Sequence, residues 1–247
     1  MAHRLRKEPA KVALGKWSPE EIGRMLRAAS AISDLPARID FISGQFLGVP
    51  YGESTLVGSP DEPEVLVIDL RAVDCFTYVD YVESMRLSRS LDELKHHLRM
   101  VRYRSGAVAY KKRHHFFTDW AGSGRVEDVT RRIGLEKTRT LTKHLNRRAD
   151  GSYFLPEIPP VERRIGFVPA EALDRAAQGR LQTGDYLGMY AQAEGLDVSH
   201  VGIVIRREGR IMLRHASSLE RRVVEQDLDL ALEGKPGIVV LRPVPLS

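Results

Sequence analysis

From Gly184 onward the hydrophobic period of this chain changes from that of helices to that of strands. "DYLGMY", "SHVGIVIRR", "GRIMLRHAS", "RRVVEQ" and "GIVVLRP" are short β-branched or alternating segments separated by turn residues such as Glu208-Gly209. Segments of this kind form an antiparallel sheet. Ahead of them the signals are helical. Ser18, Pro19 and Glu21 read as an N-cap, a first-turn proline and a capping-box glutamate, opening a helix through about Ala31. A second helix is expected from near Pro36 to Gly48, and, beyond the one around Cys75, further helices at "LDELKHHLRMV" behind Ser90 and Glu93 and at "VEDVTRRIG", which ends on a glycine. The first two thirds are thus expected to be mainly helical. Helices followed by strands give an α+β fold, with the helix around Cys75 packed on the sheet so that both bury their apolar faces. Residues 1–247 read as a single domain, in which 90–169, between the cysteine helix and the sheet, is an insertion or subdomain.

With 247 residues, 43% hydrophobic and 29% charged, the chain can bury a sizeable core and is not a disordered polymer. It has one cysteine, so no internal disulfide is expected. The basic opening "MAHRLRKEPAKVALGKW" has no continuous hydrophobic segment, so no signal peptide is expected in it. No apolar run reaches the roughly 18 residues that span a bilayer. The net charge of +5 and pI of 9.4 would suit an acidic partner, but the cations are scattered and no nucleic-acid-binding signature accompanies them. The clusters "RRIGLEKTR" and "RHASSLERR" read as solvated faces or as contacts to a small anionic substrate.

The lone thiol is either packing or chemistry. Cys75, Val79, Val82 and Met85 have helical spacing, so Cys75 either joins a buried stripe or sits in a first helical turn, where the helix dipole favours a thiolate. In the second case its own N–H can face a developing oxyanion. Two histidines support the second case. If "SHVGIVIRR" and "GRIMLRHAS" form a hairpin about Glu208-Gly209, paired positions sum to about 417, so His200 falls near Ser217 and diagonal to His215. His200 is then the candidate base and His215 the group that orients it, with Ser217 the next candidate for that third position. "KKRHHFFTDW", residues 111–120, mixes cations, imidazoles and aromatics. Arg113, Phe117 and Trp120 are candidates for a sugar or carboxylate pocket, the alternative being a partly buried amphipathic segment. The neighbouring pairs His96-His97 and His114-His115 point apart on a helix or a strand and make poor chelates, and there is no H-E-x-x-H, so no metal and no cofactor are expected.

In order along the chain, "GVPYGES", "DCFTYV", "LQTGDYLGMY", "SHVGIVI" and "RHAS" resemble the motifs of the NlpC-type superfamily of papain-like bacterial cell-wall hydrolases. The long separation of Cys75 from His200, together with "VIDLRAVDCFTYV" and "HHFFTDW", resembles the N-acetylmuramoyl-L-alanine amidase-like branch, over a stretch from about Phe41 to Val244. The resemblance implies a papain-like α+β core acting in the periplasm or cell envelope on muropeptides or peptidoglycan fragments, including anhydro-muropeptides of wall recycling. It further implies Cys75 as nucleophile, His200 as base and acid, His215 as the orienting residue, Tyr51 beside the nucleophile in the oxyanion site, and Asp74 as a substrate-recognition acid. The alternatives are an endopeptidase cutting the D-Glu to diamino acid bond, an acyltransferase on the same scaffold, and a binding module that keeps the fold without catalysis. Oligomeric state is left open.

Overall fold

A computed structural model describes residues 10–245; residues 1–9 of the basic opening and 246–247 lie outside it. The chain divides into two compact units. One runs up to Arg113 and takes in Ala216–Val224, and the other comprises His114–His215 with residues from Glu225 onward. The division falls inside the 90–169 segment, whose residues are shared between the two units.

The first unit is helical around a two-stranded parallel pair, β1 (Ala10–Ala13) and β2 (Leu66–Asp69). Helix α1 (Pro19–Ala31) starts as the sequence predicts, with the Ser18–Glu21 capping box formed. Helix α2 (Leu35–Gly44) stops before the expected Gly48: the Phe46 and Leu47 amides bond three residues back, a tighter winding that ends the α-helix. Helices α3 (Cys75–Arg86) and α4 (Leu91–Arg102) pack together. At the start of α4, Ser90 accepts from the Glu93 amide, but the Glu93 carboxylate accepts from Arg89 N–H instead of closing a box on Ser90.

Helix α3 differs from the expected one-sided stripe. It is buried on every side from Thr77 to Arg86. Two carboxylates go in with it, and both are paired: Asp80 with Arg102 at 2.7 Å and Glu83 with Arg86 at 2.6 Å. Arg102 also donates to Val67 O at 2.7 Å and lies over the Tyr81 ring, so α3, α4 and β2 share one polar centre. Removing one partner of such a buried pair costs about 3–5 kcal/mol, because the other charge is left without compensation.

The second unit contains β3 (Val126–Asp128), α5 (Thr130–Gly134), β4 (Arg139–Leu145), β5 (Val161–Pro169), α6 (Arg175–Gln178), β6 (Tyr186–Tyr190), β7 (Val198–Arg207), β8 (Arg210–Ser217), β9 (Arg222–Asp227), α7 (Leu228–Ala231) and β10 (Gly237–Pro243). The ends of β8 and β9 nearest their shared turn are counted with the first unit. The strands form an eight-stranded sheet in the order β4-β5-β10-β6-β7-β8-β9, with β3 beside β10. Every pair with a recorded register in this sheet is antiparallel. All five segments read as strands are strands. The helical reading of the region before them needs correction, because β3, β4 and β5 lie in it and "VEDVTRRIG" is a strand followed by a single helical turn. Strand β4 has no apolar alternation to reveal it. Its inward side chain at position 143 is a lysine, whose ammonium donates to the carbonyls of Ala191, Ala193 and Leu196 and lies over the Tyr190 ring. Leu187, Met189, Val204, Leu213, Ile238 and Val240 fill the sheet's core. Asp185, of the Gly-Asp element that opens β6, is buried and ion-paired to Arg242 on β10, which makes it a structural residue.

Candidate active site

In the first unit, Cys75 is the first residue of α3 and is partly exposed. Its helix begins there because Asp74 is a strong N-cap. One carboxylate oxygen accepts from the Phe76 amide (2.9 Å), the Thr77 amide (2.7 Å) and the Thr77 hydroxyl (2.9 Å), while Asp74 N–H donates to that hydroxyl. An Asp-x-x-Thr capping box is legible in the sequence and went unread there. It sets Cys75 at the positive end of the helix, where a thiolate is favoured. Among the described residues only one of the two Asp74 oxygens is used, so the cap leaves the other available.

Tyr51 belongs to the same region. It bridges Val73, two residues before Cys75, and its amide donates to Arg221 O at 2.9 Å. Burial raises its phenol above the ordinary value; the neighbouring Cys75 and Asp74 add to the rise and Arg221 opposes it. A phenol held this way keeps its proton at neutral pH and is a hydrogen-bond donor.

In the second unit, His200 on β7 and His215 on β8 are hydrogen-bonded, Nε2 to Nδ1, at 2.7 Å, with the rings perpendicular. The β7–β8 register runs from Ile203 opposite Arg214 to Arg207 opposite Arg210, which is the predicted pairing, and the turn uses left-handed conformations at Glu208 and Gly209. Burial is the main cause that pushes His200 down, to about 3, with His215 and Lys235 adding to it. Burial also lowers His215, against the opposing influence of the Gln226 amide. Both rings are therefore neutral near pH 7. One nitrogen of the pair must donate and the other accept, so the two tautomers are coupled. When His200 donates from Nε2, its Nδ1 carries the lone pair a base needs. Among the described residues no group makes a well-formed hydrogen bond to Nε2 of His215, although Gln226 acts on it electrostatically.

Two further residues hold the pair in place, and neither was singled out from sequence. A Cβ at Gly202 would lie 2.9 Å from the Leu213 side chain and 3.0 Å from His215 Cβ, so the glycine of "HVGI" lets the neighbouring strand approach. Asp197, almost fully buried, accepts from the Val198 amide and from the amide and hydroxyl of Thr118, fixing the start of β7.

The expected sugar pocket is placed differently. Phe117 and Trp120 are 1% and 2% exposed, the first against Gly188 and the second edge-on to Tyr186, so neither has a face to offer a ligand. Arg113, in the first unit, is held by Glu64 through contacts of 2.6 and 2.7 Å, in a cluster with Tyr103. Ser217 accepts from Glu220 N–H, closing the turn after β8. His97 meets Ser88 at 2.9 Å. Among the described residues no three His, Cys, Asp or Glu side chains converge as a metal site, and no helix is long and apolar enough to cross a membrane. A cavity of about 500 Å³ in the first unit, lined by residues including Leu14, Lys16, Pro50 and Arg71, contains neither Cys75 nor Tyr51.

Solved structures share this architecture. A Legionella pneumophila protein is 20% identical with a TM-score of 0.79, covering 92% of this chain and 94% of its own. A Bacteroides uniformis N-acetylmuramoyl-L-alanine amidase is 25% identical with a TM-score of 0.68, covering 91% and 99%. A Bacteroides fragilis protein described as a putative xylanase is 27% identical with a TM-score of 0.66, covering 81% and 98%. No curated protein matches the chain. The AmiA-like family model, described as N-acetylmuramoyl-L-alanine amidase-like, matches residues 41–238, a span that holds Tyr51, Cys75, His200 and His215, and the chain belongs to that family.

Proposed function

We propose that the protein is a cysteine-dependent hydrolase of peptidoglycan fragments that cuts the amide between N-acetylmuramic acid and L-alanine, on a papain-like NlpC-type core, in the cell envelope. The family match across 41–238 carries this reading, since it includes the thiol and both imidazoles in one aligned span. The relative described as an N-acetylmuramoyl-L-alanine amidase supports the choice of bond. The name xylanase on another relative points to glycoside hydrolysis, which ordinarily uses two carboxylic acids and has no use for a thiol with paired imidazoles.

In this reading Nδ1 of His200 takes the Cys75 proton as sulfur attacks the lactyl carbonyl carbon. The oxyanion that forms is stabilised by the Tyr51 hydroxyl and the Cys75 amide. Collapse breaks the C–N bond, and His200 returns its proton to the departing alanine nitrogen, leaving a thioester. Water, deprotonated by the same imidazole, then releases the sugar acid and the free thiol. His215 holds the His200 tautomer throughout, as the third member of such constellations does.

Mass spectrometry of a mixed muropeptide digest tests the assignment. The expected products are intact peptides and peptide-free sugars. Shortened peptides still attached to sugar would establish the endopeptidase instead. Cys75→Ala is expected to lose turnover while its melting curve is kept, because the change removes one sulfur from a partly exposed site. Activity of that variant within about tenfold of the parent would remove the covalent mechanism.

A further inference from the structure

The turn after β8 carries "SSLERR", part of a basic cluster that the chemistry above does not use. It is bound firmly into the first unit. The Val223 amide donates to Val49 O and the Gly48 amide to Val223 O, Pro50 bridges Arg222, and Tyr51 N–H donates to Arg221 O. Within this frame Arg221 has φ of +56°, a left-handed conformation unfavourable for a non-glycine residue. Strain of this kind persists where the surroundings enforce it, and it collects at ligand sites. The guanidinium lies 5.3 Å from the centre of the Tyr51 ring, and Tyr51 in turn lies within electrostatic reach of Cys75 and Asp74. Arg221 is exposed, and among the described residues no carboxylate stands within ion-pair distance of it. Its neighbour Arg222 has Glu220 at 3.9 Å. A cation stacked on the ring beside the candidate nucleophile, with its N–H fork uncommitted, is suited to a carboxylate, which a guanidinium binds in two-pronged fashion.

We infer that Arg221 is a carboxylate-binding residue of the substrate site, taking the free α-carboxylate of the second, γ-linked residue of the muropeptide stem. The inference rests on the amidase reading for the identity of the substrate. The chemistry of the stem supplies the ligand: one residue beyond the amide to be cut, a γ-linked glutamate leaves its α-carboxylate unbonded. Arg221 is then a specificity-determining residue. It distinguishes free-acid stems from those whose carboxylate has been amidated.

The test uses two γ-linked tripeptide probes that differ only in that group, N-acetylmuramoyl-L-alanyl-γ-D-glutamyl-L-lysine and the same compound with its glutamyl α-carboxylate amidated. Each is titrated into the full-length Cys75→Ala protein, so that binding is read without turnover. Tighter binding of the acid by on the order of 10-fold is expected, the scale of one charge-assisted contact at a partly exposed site. Arg221→Ala and Arg221→Gly, added separately, should bring that ratio close to one. The glycine variant suits the left-handed backbone and so keeps the turn, while Arg222→Ala should keep the parent's ratio. Equal binding of acid and amide by the parent, or a preference that survives in both Arg221 variants, overturns the inference. Equal weakening of both probes with the preference retained also overturns it, because it would show that Arg221 merely supports Tyr51. Turnover of the same two compounds by the unsubstituted enzyme judges the amidase reading separately: a protein that discriminates them through Arg221 yet cleaves neither would keep the binding site and lose the reaction.

Discussion

His200 and His215 illustrate how little a residue's chemistry can be read from its identity. A free imidazole titrates near 6.5, whereas burial holds His200 at about 3 and lowers His215 as well. An unfolded chain therefore binds protons in this range that the folded one does not. The stabilisation linked to His200 is complete above about pH 6.5 and is lost as pH falls toward 3, and that linked to His215 is lost in the same direction. Urea melts between pH 4.5 and 7.5 are expected to show stability falling on the acid side, with a shallower slope in His200→Gln. An unchanged slope in that variant would mean that the ring is not buried neutral. Asp74 makes a related point. The sequence offered it as a substrate-recognition acid, and the structure gives it three hydrogen bonds as the cap of α3. Replacing it with Ala should therefore lower stability by about 0.5–2 kcal/mol, the usual cost of losing an N-cap, whatever it does to binding.

Among the elements, the β7–β8 hairpin was the most legible, since a two-residue turn and a period of two fix the register together. What the pattern could not show is how tightly the strands approach. Gly202 stands where any Cβ meets Leu213 and His215. Gly202→Ala is expected to cost about 1–3 kcal/mol, typical of overpacking, and to lower turnover by displacing His215. A fully active variant with an unchanged melt would show that the strands have slack at this point. Strand β4 was hidden for the opposite reason. Its inward lysine satisfies three carbonyls where a sequence pattern looks for an apolar residue. Helix α3 was located correctly, but its burial on all sides was not, because it depends on Arg102 and Arg86 pairing with the Asp80 and Glu83 carboxylates.

For the molecule as a whole, the sequence left Trp120 and Phe117 between a binding pocket and a partly buried segment, and the fold buries both in the second unit. Trp120→Ala is therefore expected to cost about 3–5 kcal/mol and to lower the melting temperature sharply, with KM of the surviving folded fraction unchanged. A raised KM in a protein of unaltered stability would return Trp120 to the substrate. Taken by itself, the sequence determined the α+β class, the β7–β8 register, the start of the cysteine helix and, through ordered motifs, the family. Each of these depends on local period, capping or spacing, which neighbouring residues settle among themselves. Tertiary structure alone decided which charges are buried in pairs, which aromatics become core, and that Arg221 lies over Tyr51. Those outcomes depend on partners far apart along the chain, and burial, not composition, sets the free energy of each group.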